Sequence, residues 1–233
     1  DLDILRWGTN AVSYVKNLGE RNFQTNDSWV PLAHDRSLWS LNFSYLNDNG
    51  TADIVIVTSS IGSNSDFAIE IYYDPDGSAG EPDLKLDQFG SNNPRPLFGD
   101  LNLDGLMDIC DIGNTSMTSL INHETTFETV ETTYNHNISD NGILFDVDGD
   151  GKLDMLIQTP ASELGYLPGK GDGSFGAMQA IASNVYYGKL SLIDFDNDST
   201  FDIVVDNPFN FLTSVAVRQF GETTLKERLN SPK

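Results

Sequence analysis

The carboxylates in "DVDGDGKLD", residues 146–154, are spaced as ligands of a cation would be. Asp146, Asp148, Asp150 and Asp154 occupy positions 1, 3, 5 and 9 of this stretch, and Gly at position 6 permits a sharp turn. Carboxylates this close together repel one another unless a cation lies among them. The sequence therefore predicts a hard-cation site, with the main-chain carbonyl of Lys152 at position 7 as a further ligand.

The same nine-residue pattern recurs along the chain. We name the copies loop A (45–53), loop B (100–108), loop C (146–154) and loop D (194–202). Loop B predicts a site from Asp100, Asn102, Asp104, Asp108 and the carbonyl of Leu106. Loop D predicts one from Asp194, Asp196, Asp198, Asp202 and the carbonyl of Thr200, although Ser199 replaces Gly. Loop A keeps only Asn47, Asn49 and Asp53 and begins with Tyr45, so we expect a weak or empty fourth site.

Calcium is the cation that these loops fit best. Ca²⁺ accepts flexible cages of several carboxylate and carbonyl oxygens, whereas Mg²⁺ requires a stricter octahedral shell. No His or Cys accompanies the loops, which disfavours zinc and copper. An EF-hand is disfavoured because it needs Glu at position 12, where loop C has Ile157 and loop D has Val205. The alternative is a set of polar turns stabilised by Asp and Asn hydrogen bonds without metal.

The segments between the loops predict the elements that hold them. The loops recur at a period of about 50 residues, and each is followed by an apolar, β-branched run such as "ADIVIVTSS", "LDMLIQTP" or "FDIVVDNP". Further short runs, including "DFAIEIYYD", "TSVAVRQFG" and "GDGSFGAMQAI", predict four strands per repeat. This pattern is typical of an all-β propeller with four-stranded antiparallel blades.

The blade boundaries follow from the loops. About five blades are visible in one propeller region, at approximately 1–35 (partial), 36–94, 95–138, 139–183 and 184–233. Asp3 in "DLDILRW" stands where the position-nine Asp of a loop would stand, so we expect the chain to begin inside a further copy. We also expect it to form part of a larger propeller, such as a seven-bladed one, completed by further blades or chains.

The amino-acid composition disfavours several classes of partner. The 233 residues include 39% hydrophobic residues, enough to build a core, but the formal net charge is −22. Because nucleic acids and anionic lipids attract basic surfaces, neither is an expected partner. Apolar runs are far shorter than the roughly 18 residues of a membrane-spanning helix, so no direct membrane insertion is expected. The single Cys110 excludes an internal disulfide and is expected to be a buried free thiol.

The loop motif, its period, and the stretches "PLFGDLNLDG" and "GKGDGSF" resemble FG-GAP/VCBS repeats, the blades of integrin α-subunit propellers. The resemblance covers essentially the whole chain. It implies a β-propeller with Ca²⁺ in blade loops that acts outside the cell as a binding module. The chain departs from the family pattern at Tyr45 and Ser199, and at most five blades are visible where integrin-like propellers have seven, which leaves the blade number open.

No catalytic arrangement is evident, and we expect no enzyme activity. His34, His123 and His136 lie in different repeats and form no triad-like order. The expected role is adhesion or recognition of an extracellular protein or glycan. The alternatives are a non-catalytic propeller domain of a secreted polysaccharide-acting enzyme or toxin, and a scaffold segment of a surface assembly. Aromatic residues that either stack on sugars or pack between blades are Trp7, Trp29, Trp39, Tyr72, Tyr73, Tyr186 and Tyr187.

Six Asn-x-Ser/Thr sequons fit an extracellular glycoprotein. They begin at Asn26, Asn42, Asn49, Asn114, Asn137 and Asn197. The millimolar Ca²⁺ outside cells suits the weak sites of extracellular modules and supports a secreted or cell-surface location.

Overall fold

The computed structural model describes residues 4–7, 11–20, 22–31, 36–61, 66–73, 81–87, 94–135, 137–138, 142–185, 187–194, 197, 201–206, 214–217 and 226–229. For 4–7, 11–14, 16–17, 25–31, 214–217 and 226–229 only the backbone is described. Within these ranges the chain forms no helix with the length and apolarity that a bilayer crossing requires. The chain divides into two compact units, Asp1–Arg95 and Pro96–Lys233.

The first unit contains two antiparallel sheets. The first sheet has three strands in chain order, β1 (Ile4–Trp7), β2 (Ala11–Asn17) and β3 (Phe23–Pro31). The second has four strands in chain order, β4 (Arg36–Ser44), β5 (Asp53–Ser60), β6 (Phe67–Tyr72) and β7 (Leu84–Asp87). The register of β4 against β5 shifts between Leu38 and Ser40, which leaves Trp39 at a bulge.

The second unit contains three four-stranded antiparallel sheets, each again in chain order. One consists of β8 (Leu97–Gly99), β9 (Asp108–Ile112), β10 (Ser116–Asn122) and β11 (Phe127–Thr133). The next consists of β12 (Gly142–Phe145), β13 (Asp154–Gln158), β14 (Glu163–Leu167) and β15 (Gln179–Ser183). The last consists of β16 (Lys189–Ile193), β17 (Asp202–Asp206), β18 (Ser214–Val217) and β19 (Lys226–Leu229). The predicted fold class, all-β with four-stranded antiparallel blades, is confirmed.

Strand β13 shows why the second strand of a repeat reads as a continuous apolar run. Side chains alternate between the two faces of a strand. Met155 and Ile157 belong to a core shared with the β8–β11 sheet, which we call the first core. Leu156 belongs to a second core, shared with the β16–β19 sheet. Both faces of the β12–β15 sheet are therefore covered by neighbouring sheets, so neither face of β13 is free to be polar.

The two cores of the second unit account for several sequence features. Cys110 is fully buried in the first core as a free thiol, as expected. Phe175 of "GKGDGSF" is also buried there. The stretch "GDGSFGAMQAI" predicts a Gly/Asp turn followed by a strand, and the structure has both, but the strand, β15, begins only at Gln179. The residues before it form a turn with a single bridge between Gly169 and Phe175, which places Phe175 against the neighbouring sheet.

Candidate metal centre

Each loop joins the first and second strands of a four-stranded sheet, so the strands fix both ends of each candidate site. Loop A joins β4 to β5, loop B joins β8 to β9, loop C joins β12 to β13, and loop D joins β16 to β17. The position-nine aspartate is the first residue of the second strand in every copy and is buried. These four residues are Asp53, Asp108, Asp154 and Asp202.

Loop C brings three of its predicted ligands together. One carboxylate oxygen from each of Asp146, Asp148 and Asp154 lies within 4.8 Å of the other two. Oxygens bound to one Ca²⁺ lie about 2.3–2.6 Å from it, so two ligand oxygens can be no more than roughly 5 Å apart. The three carboxylates thus fit a shared calcium ion. In the described part of the chain, no other group of three acidic, His or Cys side chains meets this spacing.

Asp146 also organises the turn that forms the site. Its Oδ1 accepts the backbone N–H groups of Gly149 at 2.7 Å and Asp150 at 3.1 Å, and its Oδ2 accepts that of Gly151 at 3.0 Å. Asp100 does the same in loop B, accepting the N–H groups of Asp104 and Gly105. Aspartate at position 1 is therefore needed for the shape of the turn as well as for its charge.

Asp150, the remaining predicted carboxylate of loop C, faces Lys152 instead of the other three. Its Oδ2 lies 2.5 Å from the Lys152 ammonium, and its Oδ1 accepts the Lys152 backbone N–H at 2.9 Å. The side-chain hydrogen bond from Lys152 lowers the pKa of Asp150, and the same bond raises the pKa of Lys152. The sequence had suggested Lys152 only as a carbonyl ligand, and its side chain was overlooked.

The position-nine carboxylates make a second kind of contact that the sequence did not reveal. Asp154 accepts the backbone N–H of Val147 at 2.8 Å through Oδ2 and that of Gly169 at 2.8 Å through Oδ1. Asp108 likewise accepts the N–H groups of Leu101 at 2.7 Å and Asn122 at 2.8 Å. Each carboxylate therefore joins the start of its loop to the end of the third strand of its sheet, at Asn122 in β10 or at Gly169 just beyond β14.

Burial and hydrogen bonding oppose each other at these carboxylates. Burial raises the pKa of Asp108 and of Asp154, and the backbone N–H groups counteract that rise without cancelling it. Nearby loop carboxylates raise both pKa values further, Asp104 for Asp108 and Asp148 for Asp154. Without a cation, loops B and C each hold an aspartate whose negative charge is destabilised, and a bound cation would remove that cost.

Position 4 of loops B, C and D requires a left-handed backbone conformation, although a different residue type occupies it in each loop. It adopts a left-handed conformation in Leu103 (φ 64°), Gly149 (φ 79°) and Asn197 (φ 61°). Gly and Asn tolerate this conformation, but Leu does so at a cost. A signal was present in the Gly of loop C and the Asn of loop D, but the Leu of loop B obscured it.

Loop A lacks the carboxylate set. Its Asp53 accepts the Leu46 N–H at 2.8 Å, the same contact as in loops B and C. Asn47 and Asn49 are engaged in short-range contacts, with Asn47 Oδ1 accepting the Asn49 N–H and Asn49 Oδ1 accepting the Thr51 N–H. The weak or empty fourth site stays a prediction.

In loop D, Asp194 is half-buried and Asp202 buried, while Asp196, Asp198 and Thr200 lie outside the described residues.

Of the aromatic residues considered for ligand binding, some are buried in the structure and others are exposed to solvent. Tyr72 is buried, whereas Trp39 is 45% exposed and lies edge-on to the buried Phe67 with ring centroids 5.3 Å apart. Tyr187 is also exposed. Trp7, Trp29 and Tyr186 have side chains outside the description. Of the histidines, His123 is described and its Nε2 lies 3.5 Å from a carboxylate oxygen of Glu128.

Comparison with protein-family models identifies a known repeat in part of the chain. Residues 146–205, from the first aspartate of loop C through loop D and into β17, match the family model of the FG-GAP-like repeat. This segment carries an FG-GAP-like repeat. Over this segment the resemblance drawn from the loop motifs is confirmed, and loop C with its three converging carboxylates opens the segment.

A solved structure shares the fold. It is an Agrocybe aegerita lectin described in terms of specific recognition of non-reducing terminal N-acetylglucosamine. The match covers 97% of this chain and 76% of the lectin chain at 13% sequence identity, with a TM-score of 0.50. At that identity the likeness is one of fold. Comparison with curated proteins gives no match.

Proposed function

We propose that this chain is a calcium-stabilised extracellular module that binds a protein or glycan in adhesion or recognition and has no catalytic role of its own. The observation that carries the calcium part is the convergence of Asp146, Asp148 and Asp154 within 4.8 Å at the start of the FG-GAP-like segment. The fold shared with a lectin supports the binding part and favours a glycan as the first ligand class to test.

The proposed role of calcium is structural. A cation in loop C would neutralise carboxylates at the junction of β12 and β13, two strands whose side chains line both cores of the second unit. A ligand that binds only the folded state stabilises it by RT ln(1 + [L]/Kd). With the Kd of about 10⁻⁴ M found in extracellular modules, about 1 mM Ca²⁺ would contribute roughly 1.4 kcal/mol per site. Extracellular calcium would therefore keep such sites filled.

The calcium proposal is tested by thermal unfolding in 1 mM Ca²⁺ and in EDTA, with elemental analysis of the dialysed protein. For a chain of this size we expect each filled site to raise Tm by about 3–6 °C. Asp148→Asn removes a loop C ligand and should reduce the calcium-dependent shift. Asp48→Asn is the matched control, because Asp48 is an exposed aspartate of loop A outside the predicted ligand set. Identical melts with and without Ca²⁺, and no bound calcium, would contradict the proposal.

The binding proposal is tested on a glycan array that includes structures ending in N-acetylglucosamine, probed in Ca²⁺ and in EDTA. Selective binding that weakens in EDTA is the expected result. Retention on insoluble polysaccharides without selective array binding would favour the alternative of a targeting domain attached to a secreted enzyme or toxin. An absence of binding in both assays would favour the scaffold alternative.

A further inference from the structure

The turn between β9 and β10 presents a sequon that the proposed function leaves unexplained. Residues 113–115 form this turn, and Asn114, Thr115 and Ser116 read Asn-x-Ser. The side chains of Asn114 and Thr115 are exposed at the tip of the hairpin. In the described part of the structure, the Asn114 amide side chain makes no hydrogen bond, so its Nδ2 can be modified without breaking a contact.

The backbone of this turn is held from the core side. Tyr134 donates its hydroxyl to the carbonyl oxygens of Gly113 and Ser116, the latter at 2.8 Å, and its N–H to that of Thr115 at 3.0 Å. The Ile138 N–H donates to the Asn114 carbonyl oxygen at 3.0 Å. Tyr134 and Ile138 are both buried in the first core. Because these bonds all reach the turn from the core, the exposed Asn114 side chain has room on the solvent side for a bulky group.

The other sequons are placed less favourably. Asn42 is half-buried in β4, its Nδ2 donates to Ser40 Oγ at 3.1 Å, and Ser44 of the same sequon is only 5% exposed. Asn49 Oδ1 accepts the Thr51 N–H inside loop A, so a glycan there would crowd the loop. Asn137 is exposed, but the middle residue of its sequon, Ile138, is 2% exposed. The Asn26 side chain and the end of the Asn197 sequon lie outside the described residues.

We propose that Asn114 is an N-glycosylation site of this chain, a proposal that rests on the extracellular location in the proposed function. The donor is an oligosaccharide linked to a polyprenyl diphosphate, and a transferase of the secretory pathway supplies the catalysis. The Asn114 Nδ2 forms a bond to the anomeric carbon of the sugar. The bond from that carbon to the diphosphate oxygen breaks, the polyprenyl diphosphate leaves with the electron pair, and the amide loses one proton.

The test is secretion of the full chain from a eukaryotic host, followed by intact-mass measurement and peptide mapping before and after treatment with peptide N-glycosidase. We expect an N-glycan at Asn114, read as conversion of that residue to Asp by the glycosidase. Asn114→Gln and Ser116→Ala should each remove it, the second while keeping the asparagine. Asn42→Gln is the matched control and should leave the glycan at Asn114 in place.

Two outcomes would overturn the proposal. One is a secreted, folded chain in which Asn114 is unmodified, and the other is glycan at other sequons with Asn114 empty. The calcium dependence of Tm is measured on the same secreted sample. A calcium-dependent melt with an unmodified Asn114 therefore rejects the glycosylation site alone, whereas a glycan at Asn114 with no calcium effect rejects only the structural role of calcium.

Discussion

The Asp154 carboxylate accepts the backbone N–H of Gly169 across 2.8 Å, which fastens the first residue of β13 to the chain just beyond β14. Its other oxygen accepts the Val147 N–H within loop C. Asp108 repeats both contacts in loop B. The position-nine aspartate is therefore a structural residue even without metal, whereas the exposed Asp148 contacts only the local turn. The two roles can be separated by mutation.

Asp154→Asn should destabilise the protein both in EDTA and in Ca²⁺. The amide NH₂ of Asn would face one of the two N–H donors and leave it unsatisfied, which costs about 1–3 kcal/mol for a buried group. Asp148→Asn keeps an acceptor oxygen for the Asp150 N–H and should lower the free energy of unfolding only when Ca²⁺ is present. Urea unfolding of both variants in the two buffers provides the comparison. Equal behaviour of the two variants would show that position nine has no separate structural role.

Lys152→Gln should raise the calcium affinity of loop C by a few-fold. Lys152 holds the Asp150 carboxylate 2.5 Å from its ammonium, so its removal frees a fourth carboxylate and removes a competing positive charge. The effect is modest because both groups are exposed and the pair is screened by solvent. Calorimetric titration with Ca²⁺ measures it, and Lys170→Gln, an exposed lysine in the nearby turn, controls for net charge. A lower affinity in Lys152→Gln would reverse this interpretation.

The sequence carried enough information to predict the fold class and the loop whose carboxylates converge. Aspartates at fixed spacing and Ile- and Val-rich runs are local signals, and they predicted the strands on either side of loop C and three converging ligands. The contacts missed were non-local or involved a second role of a residue. Asp154 reaches Gly169, which is distant in sequence, and Lys152 was considered only for its carbonyl. The strand predicted after the "GDG" turn begins only at Gln179, because the packing of Phe175 against the neighbouring sheet extends the turn and has no local signature.

Leu103→Gly should stabilise the protein by about 1 kcal/mol. Leu103 occupies a left-handed conformation with φ 64°, which costs an L-residue other than Gly roughly 1–2 kcal/mol, and its side chain is exposed. The greater freedom of Gly in the unfolded chain offsets part of that gain. Leu106→Gly, in the same loop but without a positive φ, is the matched control and should destabilise. Chemical unfolding in EDTA is the measurement, and destabilisation by Leu103→Gly would contradict the strain.

Gly173→Ala should destabilise the second unit by about 1–3 kcal/mol more than Gly171→Ala. Both glycines have positive φ, at 81° and 76°, so the conformational strain of the two substitutions is similar. An added Cβ at Gly173 would lie 2.3 Å from Ile121 Cδ1 in the first core, whereas at Gly171 its nearest neighbour is the flexible Lys152 side chain at 3.1 Å. Overpacking a core costs about 1–3 kcal/mol. Equal losses in urea unfolding would mean that the turn does not pack tightly on the neighbouring sheet.

The pH dependence of the calcium-free protein should distinguish Asp154 from Asp150. Burial raises the folded-state pKa of Asp154 above the unfolded value of about 3.9. The folded state then binds the proton more tightly, so this contribution to stability is complete below about pH 4 and is lost as pH rises through the folded pKa. The difference in unfolding free energy between the wild type and Asp154→Asn in EDTA should therefore be larger at about pH 4 than at pH 7. For Asp150, whose pKa Lys152 lowers, the sign is opposite, and the difference for Asp150→Asn should stay flat to pH 5 and narrow only below about pH 4. A difference for Asp154→Asn that is smaller at about pH 4 than at pH 7 would show that the backbone N–H groups outweigh burial at this carboxylate.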